Sequence, residues 1–183
     1  NGNLFGELSF NENDKNTLDL DITAKNGNFF TQDFDDLSLD LSYNDQLLII
    51  DEFKLFNNSL YNFDIQGLVP IDLKNDLFRK VQIKSVFNNF DLSIFENFVP
   101  EIKNKLKGDY TGLLIVSGNV KNTSYNLKGF IENTFYDKVP LGKVSGEMTY
   151  KDKSITMNNI NSLWNQNSVN ASGKIPVDLD LHS

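Results

Sequence analysis

The chain has 183 residues and a formal net charge of −8, with no Cys and one His, His182. Disulfide scaffolds, thiolate metal sites, Cys nucleophiles and multi-His centres are therefore excluded, and the acidic balance disfavours nucleic acid and anionic lipid surfaces. Two Ala, Ala24 and Ala171, are too few for a helical domain, whereas 39% hydrophobic residues suffice for a folded core.

Asn is the most conspicuous excess, with 26 residues against a single Arg, Arg79. That bias fits an AT-rich coding sequence, and most Asn residues read as surface and turn filler. No apolar run reaches the 18 residues of a membrane-spanning helix. Starting at Asn1 and stopping at Ser183, the chain reads as a segment of a longer protein.

In chain order, period-two alternation dominates. Leu18, Leu20, Ile22 and Ala24 alternate with Asp19, Asp21 and Thr23. Leu37, Leu39, Leu41 and Tyr43 alternate with Ser38, Asp40 and Ser42. Phe63, Ile65 and Gly67 alternate with Asp64 and Gln66. Val144, Gly146, Met148 and Tyr150 do the same, and Val169, Ala171, Gly173, Ile175, Val177, Leu179 and Leu181 share one parity. Each pattern places apolar side chains on one face of a strand. Turns are expected at 11–14, 26–28, 44–45, 57–58, 75–76, 151–152 and 165–167. Short polar turns between successive strands predict an antiparallel meander.

One stretch departs from this. Leu92, Phe95, Phe98, Ile102 and Leu106 follow spacings of three and four, so 91–106 reads as a short helical connector. Asp91 is its expected N-cap and Pro100 its kink.

The segments either side of that connector correspond. Gly2 and Gly6 match Gly108 and Gly112, and Lys15-Asn16-Thr17 matches Lys121-Asn122-Thr123, at an offset of 106. Phe29 matches Phe135 at 106, and Tyr43-x-Asp45 matches Tyr150-x-Asp152 at 107. Gly67-x-x-Pro70-x-Asp72-Leu73 then matches Gly173-x-x-Pro176-x-Asp178-Leu179, again at 106. One insertion and one deletion explain the change. The chain divides into a first β-repeat at 1–90, the connector at 91–106 and a second repeat at 107–183, all in one continuous sheet. Pro70 and Pro176 are expected near strand ends, and Gly67 and Gly173 at bulges or close approaches.

The arrangement resembles the β-groove segments of the TamB family, within the AsmA-like superfamily of bacterial envelope proteins. The resemblance rests on the order of elements from Phe90 to Leu181: a short helix, a Leu-x-Gly-x-x-x-Gly opening at Leu106 to Gly112, Ser117-Gly118, and a Gly-x-Ile-Pro close at Gly173 to Pro176. It departs from the family at Asn122, where many members carry Pro, and the family's C-terminal signature is missing. The resemblance implies an all-β fold, a U-shaped elongated antiparallel sheet (a β-taco) with a hydrophobic inner face. It implies a periplasmic location, an inner-membrane anchor elsewhere, and an Omp85-type outer-membrane barrel as partner. It implies passage of phospholipid acyl chains along the groove; an older view of the family assigns it to assembly of outer-membrane proteins. With no Cys, one His next to the last residue and no nucleophile motif, neither enzyme activity nor a cofactor is expected.

The expected groove lining is Leu18, Leu20, Ile22, Leu37, Leu39, Leu41, Phe63 and Ile65 in the first repeat. In the second it is Leu127, Ile131, Val144, Met148, Val169, Ile175 and Val177. From the residues alone, the same positions also fit the core of a closed β-sandwich, and a free sheet edge also fits a scaffold for unfolded strands or pairing with a second copy. The acidic run at Asp33, Asp35 and Asp36 lacks the spacing of a calcium loop and reads as a solvated turn. Glu96 and Glu101 read as a solvated helix face, not an acid–base pair. Trp164 fits either a groove rim or a packed core. The sequons at Asn57, Asn122 and Asn170 carry no weight if the source is bacterial, as the resemblance implies.

Overall fold

A computed structural model describes residues 3–10, 17–29, 32–44, 46–57, 60–71, 80–93, 105–119 and 122–176. They form one antiparallel sheet of eleven strands whose spatial order is their chain order. The strands are β1 (Asn3–Phe10), β2 (Thr17–Phe29), β3 (Gln32–Asn44), β4 (Leu47–Asn57), β5 (Tyr61–Pro70), β6 (Lys80–Asp91), β7 (Leu106–Asn119), β8 (Asn122–Tyr136), β9 (Val139–Lys151), β10 (Ser154–Trp164) and β11 (Asn167–Pro176). The all-β meander expected from alternation is the fold. β1 and β11 are its two edges, so the sheet is open and not a barrel. Among the described residues no second sheet packs against it, which removes the closed sandwich.

The repeat is visible in the strand bounds. β3 and β4 become β9 and β10 on adding 107, and β5 becomes β11 on adding 106. Three residues separate β4 from β5 and two separate β10 from β11, so the deletion falls in a turn. A change of one residue there leaves the faces of both strands intact; inside a strand it would turn every side chain over. β2 and β8 end 107 apart, so the end of β2 corresponds to Tyr136, not to Phe135.

Bulges in β4, β6, β8 and β10, and one at Leu141 in β9, bend the sheet. In β4 two residues, Asp51 and Glu52, lie where β5 has Gln66 alone. In β10, Asn158 and Asn159, opposite Ser172 of β11, repeat that bulge 107 residues later. β6 is bulged between Phe87 and Phe90, and β8 between Ile131 and Thr134. Left-handed backbone marks those in β6, β8 and β10: Asn89, Asn133 and Asn159 have φ between 50° and 53°, and so does Asn26 in β2. Asn tolerates this region better than other residues with a side chain. These Asn residues are thus strand-bending positions, not the filler that composition implied. Each bulge adds local twist and coils the ladder.

Several expected boundaries move. The connector 91–106 begins with Asp91 as the last residue of β6 and ends with Leu106 as the first of β7; positions 94–104 lie outside the described residues. Leu92 and Ser93 form one short 3₁₀ turn, and the Asp91 carboxylate accepts from the Ser93 amide at 2.8 Å, as a cap does. The expected turn at 26–28 lies inside β2, and the acidic run 33–36 lies inside β3. Asn26 resets the alternation there, so Phe34, paired with Gly27, is buried instead of solvated. Gly67 and Gly173 are not bulged themselves; they pair with Ile50 and Met157, the residues just before the bulges in the neighbouring strands β4 and β10. Pro70 and Pro176 do end their strands.

Candidate functional site

The register builds one apolar face. Residues directly opposite in an antiparallel ladder share a face. One transverse row runs Leu20, Leu41, Ile50, Gly67, Ile83, Val116, Tyr125, Tyr150, Ile155, Ile175 from β2 to β11. The next runs Ile22, Leu39, Phe53, Ile65, Ser85, Leu114, Leu127, Met148, Met157, Gly173. Ten strands therefore present two nearly unbroken apolar rows, spanning nine interstrand steps, or roughly 43 Å. The opposite face carries Asp19, Asp21, Asp40, Glu52, Lys54 and Asp64, with Ser38 donating to Glu52 at 2.7 Å. Burial raises the Asp40 carboxyl above the usual range, and Asp51, Asp21, Glu52 and Asp19 add to the rise.

Of the expected groove residues, Leu18, Leu20, Ile22, Leu37, Leu39, Leu41, Phe63, Ile65, Leu127, Ile131, Val144 and Met148 are half-buried and lie on this face. Val169 and Ile175 share it but are exposed, because β11 is an edge. Val177 lies outside the described residues. Strand alternation missed β4 and β10 because their bulges switch parity: Leu48 and Ile50 share the face with Phe53 and Leu55, as Ile155 and Met157 do with Ile160. An acidic or amide pair inside an apolar run, Asp51-Glu52 or Asn158-Asn159, was the readable signal.

The face is concave at its centre. Leu55 is 1% exposed although, among the described residues, no second sheet lies over it, and its neighbours pack around it. They are Phe34, Tyr61, Phe87, Phe90, Leu92 and Tyr110, all buried in one cluster. Phe63, Phe87, Phe90 and Tyr110 pack at ring separations of 4.8–5.4 Å. The Tyr61 hydroxyl ties this floor to β3 by donating to the Asp33 carbonyl at 2.9 Å.

Beyond Tyr110 the relief changes. The row holding Leu55, Phe63 and Phe87 continues as Gly112, Gly129 and Gly146 in β7, β8 and β9. Three glycines in line remove the floor's side chains. The Tyr110 ring lies over the first two: a Cβ on Gly112 would meet its hydroxyl at 2.3 Å, and one on Gly129 its ring edge at 3.0 Å. The Tyr110 hydroxyl donates to the Lys128 carbonyl at 3.0 Å, which holds the ring down. Past the ring lies an apolar recess of about 220 Å³ with walls from Leu127, Ile131, Val144, Met148, Met157 and Ile160. Trp164 is 43% exposed beside Glu132, Phe135 and Lys143, so it is not a packed core residue.

Two phenols report on this packing. Burial pushes Tyr61 up to about 12, with Asp33 and Asp35 adding to the rise, and burial pushes Tyr110 up to about 12. In the unfolded chain both ionise near pH 10. The unfolded state therefore loses these protons first, and stability falls as pH rises from about 10 towards about 12. Below pH 10 the contribution is constant. Urea midpoints measured from neutral to alkaline pH will fall less steeply in Y61F/Y110F; an unchanged slope would show the phenols are not the titrating groups.

Among the described residues no three His, Asp or Glu converge as metal ligands. No helix there is long and apolar enough to cross a membrane, which says nothing about spanning by strands. No family model matches the chain, and no curated protein or solved structure matches it.

Proposed function

We propose that the concave face shelters phospholipid acyl chains in transit between membranes. The chain is then a segment of a periplasmic, inner-membrane-anchored envelope protein of the TamB kind, working with an Omp85-type outer-membrane barrel through other parts of the protein. The observation that carries this reading is an apolar face ten strands wide with no second sheet over it among the described residues. The resemblance at Leu106 to Gly112 and Gly173 to Pro176 supplies the setting.

The physics suits a conduit. Each methylene removed from water is worth about 0.8 kcal/mol. A chain laid along the rows gains this wherever it lies, because apolar contacts are non-directional. It is held strongly overall and can still slide. The headgroup stays in water at the mouth, and the acidic outer face keeps the sheet soluble. The recess past Tyr110 offers a chain an apolar seat beside the aromatic cluster that fills the centre.

The test is binding of a fluorescent long-chain fatty acid and a fluorescent phospholipid to delipidated protein. Saturable binding of both, displaced by unlabelled phospholipid, is expected. Failure to bind either would sink the reading.

A further inference from the structure

The recess past Tyr110 is a walled cup, unlike the open rows beside it. Its base is the glycine pair Gly129 and Gly146, opposite each other on β8 and β9. Along those strands it is bounded at one end by Leu127 opposite Met148, and at the other by Ile131 opposite Val144. Across them it is bounded by the next strands on either side. The Tyr110 ring edge, from β7, lies 3.0 Å from where a Gly129 Cβ would stand. The Ile160 Cδ1, from β10, lies 2.5 Å from where a Gly146 Cβ would stand. Neither glycine has a side chain to raise the base between these walls.

The cup offers a polar group no partner. Its walls are aliphatic and thioether side chains and one phenol ring. The Tyr110 hydroxyl already donates to the Lys128 carbonyl at 3.0 Å. Lys128 and Lys143 alternate with cup residues along β8 and β9, so their ammonium groups belong to the opposite face. Lys143 Nζ lies there, 3.8 Å from the centre of the Phe130 ring. A carboxylate or phosphate entering the cup would lose its water and gain no donor, whereas a hydrocarbon loses nothing. The space suits a chain end. An enclosed apolar cavity of about 150 Å³ holds a benzene ring, so the 220 Å³ here takes several methylene groups. Met148 and Met157 supply flexible walls that mould to such a ligand.

We infer that this cup seats the unsubstituted methyl end of an acyl chain, with Tyr110 as the stop. The inference rests on the acyl-chain reading of the concave face and adds an orientation to it. Along the two apolar rows a chain finds similar contacts at each step and slides. In the cup, walls on four sides surround the last few methylenes, and the Tyr110 ring bars the way to the aromatic cluster. The headgroup then trails away from the cup into water. Chains that end in a polar group are refused by the same lack of a partner.

Two palmitic acid probes test this, one with a diazirine beside the methyl end and one with it beside the carboxyl. Each is bound to the intact 183-residue chain, photolysed, and its adducts are mapped by mass spectrometry. The methyl-end probe should label Val144, Met148, Met157 or Ile160, and the carboxyl-side probe should label outside the cup. Val144→Phe fills the cup. It should weaken binding of the methyl-end probe about tenfold, the loss from roughly two methylenes returned to water, and move its adducts elsewhere while the urea midpoint stays unchanged. If both probes bind but label the cup equally, or the carboxyl-side probe prefers it, the orientation is wrong and the acyl-chain reading stands. Unchanged binding and labelling in Val144→Phe would likewise overturn the seat alone. If neither probe binds, the acyl-chain reading fails and this inference with it.

Discussion

Leu55→Ala lowers the free energy of unfolding by about 2–5 kcal/mol, the range for large-to-small changes at fully buried sites. Leu55 is 1% exposed and lies opposite Leu37 and Phe63, inside the cluster that joins β3 to β7. Two terms act together. The lost methyl and methylene groups forfeit their transfer energy, and the cavity left behind cannot be refilled by rigid rings held in edge and tilted contacts. Ile175→Ala is the comparison. It removes a similar side chain at a 47% exposed edge position and should cost about 1 kcal/mol or less. Urea midpoints of the two variants decide the matter. If Ile175→Ala costs as much as Leu55→Ala, the stability of this sheet does not reside in the central aromatic floor.

On the proposed function, Met148→Glu should abolish most acyl binding without unfolding the sheet. Met148 is half-buried in the recess past Tyr110, opposite Leu127 and Met157. A carboxylate there keeps its water only if the alkyl chain stays out. Desolvating it under an alkyl chain costs about 2 kcal/mol or more, so affinity for the fluorescent fatty acid should drop roughly 30-fold. Because the position faces an open recess, the folded protein alone tolerates the charge, and its urea midpoint should move little. Thr156→Glu is the control. Thr156 lies opposite Thr149 and Lys174, on the polar face, and its variant should bind as the parent does. Equal binding by all three proteins would place the ligand away from this face.

Much of this architecture was legible before any coordinates. Clean alternation in 18–24, 37–43 and 144–150 placed those side chains on the face where the ladder puts them. The two Gly-x-x-Pro motifs located the equivalent strands β5 and β11. What escaped had physical causes. β4 reads as an apolar run around Asp51-Glu52, and a bulge cannot be told from a loop by period alone. Asn26 sits in a left-handed conformation within β2, so a stretch rich in turn residues is a strand and Phe34 reaches the core. The Gly112, Gly129 and Gly146 row is invisible along the chain, because its members come together only across three strands. The recess beside Tyr110 was therefore hidden as well.

The central claim is that the concave face contacts lipid. A photo-crosslinking residue placed in living cells at Leu39 or at Met148, one in each half of the sheet, tests it most directly. Asp40 and Glu147, their neighbours on the polar face, are the controls. Lipid adducts at Leu39 and Met148, and none at Asp40 and Glu147, are the predicted result. Protein adducts without lipid at Leu39 and Met148 would contradict it.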